Sequence, residues 1–270
     1  MNGTGRRFLV WVSVLLIALI AASPSRVSAA EKLNVSVRGR TLTMAIYRPS
    51  ARPAGTVLMG SGDVGWVGLA VSLAEELATQ GYLVAGLNTR QYLSSFTSAK
   101  SHLQPADLQT DFRTIRDALA IQGLLIHPVI LSGMSEGAAL SVLAASDAAN
   151  HGWIDGVITM GLPPTAELAW RWTDITAWIS RRDADEPSFS PGDVIGGVAP
   201  VPLWMIQSRK DEYVSREAYE RLFARAGEPK QLTIIDASNH RFTDKRAELS
   251  SAYASGLTWI SKHPAKGPGP

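Results

Sequence analysis

Gly133-Met134-Ser135-Glu136-Gly137 follows the apolar run Pro128-Val129-Ile130-Leu131 and opens the small-residue stretch Ala138–Ala149. A buried strand, a G-x-S-x-G turn and a helix in this order predict a nucleophile elbow. The turn is tight enough that a Cβ on either flank would clash, so glycine is needed on both sides. The serine itself is expected in a strained backbone conformation with its hydroxyl above the strand ends. The N–H of Glu136 falls at a helix N-terminus, where it can face a developing oxyanion.

Outward from the elbow, short apolar strands alternate with helical periodicity. Lys32–Arg38 and Arg40–Arg48 alternate around Gly39 as an antiparallel hairpin. Thr56–Met59 and Tyr82–Leu87 read as buried strands. Between them lies a helix, Leu69–Gln80, with Leu69, Leu73 and Leu77 on one face and Gly81 as its stop. Asp107–Gln122 repeats the pattern through Leu108, Phe112, Ile115 and Leu119. Ile154–Met160, Pro202–Ile206 and Gln231–Ile235 supply three more strands, with helices at Arg216–Ala226 and Lys245–Ser261. The alternation predicts an α/β domain, a mainly parallel sheet with helices on both faces. In such sheets, functional residues sit just past the carboxyl ends of strands.

A serine nucleophile needs a base and an orienting acid, and in hydrolases of this architecture the chain order is serine, acid, histidine. His240 lies five residues after Gln231–Ile235 and before the last helix, where the base should fall. His102, His127, His151 and His263 precede the elbow, flank interior strands or lie in the tail. The acid is assigned to Asp211, in the loop after Pro202–Ile206, with Glu212 and then Asp236 as substitutes. The loop Gly60-Ser61-Gly62-Asp63 follows the first buried strand and should supply the second oxyanion donor. One register uses the N–H of Asp63 and another that of Ser61. The loop lacks the lysine and spacing of a phosphate-binding P-loop. No metal and no organic cofactor are implied.

Composition bounds the setting. Arg6 and Arg7, the apolar run Phe8–Ala22, Pro24 and the small residues Val27-Ser28-Ala29-Ala30 read as a secretory signal over residues 1–30. An uncleaved N-terminal anchor is the alternative. About 240 residues then remain, enough for one domain over 31–261, followed by a tail at 262–270 expected to be disordered. The formal charge of +2 includes Arg6, Arg7 and Arg26 of the leader. Without them 23 basic residues face 24 acidic ones, so there is no global attraction to nucleic acid or anionic lipid. The chain has no cysteine. This excludes disulfides and thiolate metal sites, and suits export to a bacterial periplasm or beyond the cell.

The elbow, the acid after a strand and the late histidine resemble the α/β-hydrolase superfamily over about residues 40–261, at the size of its dienelactone-hydrolase-like members. A narrower resemblance rests on Ser61-Gly62-Asp63-Val64-Gly65-Trp66 and on Gly81-Tyr82-Leu83-Val84-Ala85-Gly86-Leu87-Asn88-Thr89-Arg90-Gln91-Tyr92. These stretches look like the VirJ/AcvB bacterial virulence-protein family. That resemblance implies an exported chain that hydrolyses aminoacyl-phosphatidylglycerol, a lipid ester, with peripheral membrane contact left open. The family's elbow is usually Gly-Tyr-Ser-Phe-Gly, whereas Met134 and Glu136 stand here. Its histidine loop is usually Gly-Gly-His-His-Phe, whereas this chain has Ser238-Asn239-His240-Arg241-Phe242. Residues 163–201, with Trp170, Trp172 and Trp178, fall where such folds insert a short cap. Those tryptophans either line an acyl pocket or form one buried helix face. A general carboxylesterase, thioesterase or peptidase on the same scaffold, and a non-catalytic envelope binding protein, are the competing readings.

Overall fold

The computed structural model describes residues 30–98, 101–170 and 187–265. The expected leader, Trp172 and Trp178 of the expected cap, and the end of the tail lie outside these residues. Eight strands form one sheet in the order β1-β2-β4-β3-β5-β6-β9-β10. They are β1 (Glu31–Val37), β2 (Arg40–Tyr47), β3 (Thr56–Gly60), β4 (Leu83–Leu87), β5 (Val129–Met134), β6 (Gly156–Met160), β9 (Leu203–Ser208) and β10 (Lys230–Ile235). β1 pairs antiparallel with β2, and β2 antiparallel with β4. All pairs from β4 to β10 are parallel. Two short strands, β7 (Ala166–Glu167) and β8 (Ser188–Phe189), form a separate antiparallel pair.

Seven α-helices are described: α1 (Leu69–Thr79), α2 (Thr89–Phe96), α3 (Pro105–Ile121), α4 (Glu136–Ala145), α5 (Pro191–Val194), α6 (Arg216–Arg225) and α7 (Arg246–Lys262). Because side chains alternate across a strand, one strand feeds both faces of the sheet. Val57 and Met59 pack toward α1 and α7, where Leu73, Leu77, Tyr253 and Leu257 meet them. Leu58 points the other way, toward the cluster that holds Phe112 and Ile115 of α3 and Leu140 and Leu143 of α4. Each large aliphatic side chain buried this way contributes about 1.5–3 kcal/mol of transfer free energy. The expected α/β architecture is therefore the observed one.

Local chemistry moves some boundaries. α3 starts at Pro105, two residues earlier than the periodicity suggests. Proline suits the first helical position, and Asp107 Oδ2 accepts the N–H of Gln104 at 2.9 Å. α2 was not expected from the apolar pattern, since five of the side chains in Thr89–Phe96 carry a hydroxyl or an amide. A cap starts it: Asn88 Oδ1 accepts the N–H of Gln91 at 3.1 Å. Tyr92 and Leu93 then bury its inner face.

With β3 to β10 parallel, their carboxyl ends form one rim. Ser61–Asp63, Ser135, Gly161, Asp211 and His240 all follow strands at that rim. The sheet thus gathers residues separated by up to 179 positions in the chain.

Candidate active site

Ser135 sits between β5 and α4 with φ 53° and ψ −120°, a conformation that costs a non-glycine residue on the order of 1–3 kcal/mol. The surroundings hold it there. Its N–H donates to Met160 O of β6 at 2.9 Å, and its carbonyl accepts the N–H groups of Ala138 and Ala139. The flanking glycines are sterically required. A Cβ on Gly133 would lie 2.1 Å from Gly137 C, and one on Gly137 would lie 2.4 Å from the carbonyl oxygens of Gly60 and Ser61. The elbow is therefore wedged against β3 as well as β5. Glu136, the first residue of α4, has an N–H with no acceptor inside its own helix.

The acid and base lie across β6 from the elbow. His240 Nδ1 is 2.7 Å from Asp211 Oδ2, and the two side chains are only 6% and 0% exposed. Asp211 Oδ1 accepts the backbone N–H groups of Tyr213 and Val214, each at 2.9 Å. These bonds fix the carboxylate, which in turn fixes the imidazole. Glu212 takes a different position: its Oε2 accepts the backbone N–H of His240 at 2.7 Å. Asp236, the third candidate acid, is paired with Arg209 on an open part of the surface at 3.3 Å. The imidazole's other nitrogen, Nε2, is buried and has no hydrogen-bond partner among the described residues. Gly161 packs against the ring: a Cβ there would lie 2.6 Å from His240 Cε1. Tyr213 stands edge-on to the ring, with centroids 5.3 Å apart. Neither contact was foreseen, because nothing in the local pattern of Gly161 or Tyr213 points to a histidine 27 or more residues later.

The loop after β3 separates into parts. Ser61 is wholly buried. Its N–H donates to Leu87 O at 3.1 Å, and its Oγ accepts the N–H of Thr89 at 3.1 Å. The register that assigns the oxyanion donor to the Ser61 N–H is therefore corrected: sheet pairing with β4 already uses that group. Gly62 lies beside the nucleophile, since a Cβ on it would be 3.7 Å from Ser135 Cβ. Asp63 comes next and is exposed. Among the described residues no group of three or more His, Asp or Glu could hold a metal ion.

A model of the family described as bacterial virulence protein (VirJ) matches residues 55–194. This chain belongs to the VirJ family. No curated protein matches it. Solved structures similar to it include Est1E from Butyrivibrio proteoclasticus, with 14% identity over 87% of this chain and 100% of that one, and a TM-score of 0.64. A dienelactone hydrolase from Anabaena variabilis shares 17% identity over 90% and 100%, with a TM-score of 0.60. An α/β serine hydrolase without lid from Xanthomonas campestris shares 20% over 91% and 100%, with a TM-score of 0.58. The fold is that of the α/β hydrolases.

The two stretches that carry the VirJ resemblance lock onto each other. Ser61 Oγ bridges to Thr89 as described, a Cβ on Gly65 would lie 3.1 Å from Asn88 Oδ1, and the Trp66 ring lies on Gly86. Trp66 Nε1 also donates to Tyr47 Oη at 3.1 Å. The departure from the family pattern at Glu136 has a visible partner in the expected cap region. Glu136 Oε2 accepts the N–H of Glu167 in β7 at 3.2 Å. Burial chiefly, then repulsion by the Glu167 carboxylate, raises its pKa to about 8 against the pull of that N–H, with Asp63 adding a smaller push. At neutral pH Glu136 is therefore mostly a neutral acid. The Trp170 ring lies under the Arg90 guanidinium, 4.1 Å from the centroid; Trp178, the other residue of the expected helix face, lies outside the described residues.

Proposed function

We propose that this VirJ-family chain is an exported serine hydrolase that cleaves a carboxylic ester through Ser135, His240 and Asp211. The observation that carries the reading is the 2.7 Å contact of His240 Nδ1 with a fully buried Asp211. It leaves Nε2 as the ring nitrogen available to a nucleophile. Ser135 Oγ attacks the ester carbonyl carbon while Nε2 accepts its proton. The N–H groups of Glu136 and Asp63 hold the oxyanion. The imidazolium, oriented by Asp211, returns the proton to the departing alkoxide, and an alcohol leaves. Water activated by Nε2 then attacks the acyl-enzyme and releases the acid and Ser135. Nε2 is not hydrogen-bonded to Ser135 here; such bonds commonly tighten only when substrate binds.

For the substrate we propose an aminoacyl ester of phosphatidylglycerol at the outer side of a bacterial inner membrane. The support is the VirJ family membership together with the composition of residues 1–30. We assign the cationic amino group to Asp63 rather than to Glu136, which is mostly protonated at neutral pH.

A fluorophosphonate probe tests the mechanism. It should label Ser135, and Ser135→Ala should abolish labelling without unfolding the protein. Labelling at another serine would overturn the assignment. Purified enzyme offered lysyl- and alanyl-phosphatidylglycerol beside a short p-nitrophenyl ester tests the substrate. Turnover of the soluble ester alone would make the protein a general carboxylesterase.

A further inference from the structure

Ser61 ties the end of β3 to its neighbours through both of its backbone polar groups. Its N–H donates to Leu87 O of β4 at 3.1 Å. Its carbonyl oxygen presses on the first turn of α4, where a Cβ on Gly137 would lie 2.4 Å from it. The side chain between them is wholly buried. Ser61 Oγ donates to Gly62 O at 3.0 Å and accepts the N–H of Thr89, the first residue of α2, at 3.1 Å.

Gly62 O takes a second hydrogen bond, from the N–H of Gly65 at 3.0 Å. That carbonyl belongs to the peptide that carries the Asp63 N–H. In a planar trans peptide the C=O and the N–H point in opposite directions. Two donors that hold the oxygen inside the turn therefore hold the N–H out of it. The Asp63 N–H has no acceptor among the described residues. Gly62, at the other end of the same peptide, packs beside Ser135. The Asp63 side chain stands in solvent, while its N–H is fixed from beneath.

The bonds also run in one sense. Thr89 N–H donates to Ser61 Oγ, and the Ser61 proton goes to Gly62 O. A carbonyl that accepts a hydrogen bond makes the N–H of its own amide a stronger donor. Thr89 N–H is one of the groups that a helix start leaves without a partner in its own helix, so α2 heads the relay.

We propose that Ser61 is a positioning residue for the oxyanion hole. Its hydroxyl, backed by Thr89, aims and polarises the Asp63 N–H toward the oxyanion that forms when Ser135 adds to an ester carbonyl. The proposal rests on the ester-hydrolase reading and concerns the group that prepares its second donor. Ser61 touches no substrate. Its hydroxyl acts only where the carbonyl oxygen carries charge, so it changes kcat and leaves KM. A hydroxyl that merely satisfied the buried Thr89 N–H would change folding stability alone.

The test compares wild type, Ser61→Ala and Ser61→Cys on a short p-nitrophenyl ester and with an alkyl trifluoromethyl ketone as inhibitor. Ser135 Oγ adds to the ketone carbon, its proton passes to His240 Nε2, and the ketone oxygen becomes the oxyanion. Nothing leaves, so the affinity of the ketone reports on the hole without turnover. Ser61→Ala should lower kcat about 10- to 100-fold with KM within about twofold. The Ki of the ketone should rise by the factor by which kcat/KM falls. Ser61→Cys keeps an atom in place with a weaker donor and should fall between the other two. It carries the same test should Ser61→Ala fail to fold. A folded Ser61→Ala variant with wild-type kcat overturns the proposal. So does a loss that appears in KM, or a loss of kcat with the ketone's Ki unchanged. The hydrolase reading fails separately. It fails if the wild type neither turns over the ester nor takes up a fluorophosphonate at Ser135, and the role of Ser61 then falls with it. Labelling and turnover in the wild type with no effect at Ser61 removes the role of Ser61 alone.

Discussion

The two flanks of Ser135 are built differently. On the β9–β10 flank, Asp211 accepts three hydrogen bonds, Glu212 holds the backbone of His240, and Asn239 Oδ1 accepts the N–H groups of Arg241 and Thr243. Phe242 of the same loop is fully buried. On the β3–β4 flank, Asp63, Val64 and Val67 stand in solvent, and Trp170 and Arg90 meet through a stacked contact. The difference follows from the tasks proposed for them. Proton transfer needs an imidazole placed to a fraction of an ångström, and a 1 Å error can cost about a hundredfold in rate. Seating part of a substrate tolerates looser walls, because charge attraction varies slowly with distance.

The largest way to break the comparison is to remove the ordered flank. His240→Ala should lower kcat/KM by roughly three orders of magnitude or more, because only the oxyanion donors and binding would remain. Asp211→Asn should cost about a hundredfold or more, and the double variant should be little worse than His240→Ala alone. Glu212→Gln should cost only a few-fold, since its carboxylate touches the backbone of the loop and not the ring. Steady-state kinetics on one soluble ester decides this. Equal losses at Glu212 and Asp211 would mean that loop position, not the acid on Nδ1, carries the effect.

Two glycines sharpen it further, one on each flank. Gly161 has φ 59°, and an added Cβ would strike the His240 ring. Gly161→Ala should therefore lower kcat roughly 10- to 100-fold with little change in KM. Gly62 has no such restriction: an added Cβ would meet Met134 Cε at 3.4 Å and Ser135 Cβ at 3.7 Å, ordinary contact distances. Gly62→Ala should keep activity within about threefold. Reversal of this order would mean that the loose flank is the more demanding one.

Much of this arrangement is legible in the chain because it depends on order and period. Ser135, Asp211 and His240 each follow an apolar run, and parallel strands put all such positions at one rim. The helices with a continuous apolar face, α1 and α3, are legible for the same reason. What hides is set by partners distant in sequence. The Ser61 N–H is lost to Leu87 only once β3 and β4 pair. α2 forms on an Asn88 cap and two buried residues, too little to register as periodicity. Gly161 looks like an ordinary residue after a strand until the histidine loop lies over it. Glu136 stands at a helix start, where a negative charge is normally favoured. It takes the fold to bring Glu167 and burial to it.

Glu136 also gives the smallest of the expected effects, on the boundary between the two flanks. Its pKa is about 8 in the folded protein against 4.5 for the free side chain. The folded state therefore binds more protons than the unfolded state between these values, and folding stability must fall as pH rises through that window. The contribution is fully present below about pH 4.5 and lost as pH passes through 8. One pKa unit corresponds to about 1.4 kcal/mol. Across pH 5–8 the effect is on the order of a few kcal/mol. Glu136→Gln cannot ionise and keeps an oxygen acceptor for the Glu167 N–H. It should therefore gain on the wild type as pH rises: near equality at pH 5, and a stability advantage by pH 8. Urea denaturation at several pH values reads this directly. A gap that stays constant with pH would show that Glu136 is already ionised in the folded protein. Glu136 would then add its charge to that of Asp63 toward a cationic acyl group, and Glu136→Gln would be expected to weaken turnover of lysyl esters more than that of alanyl esters.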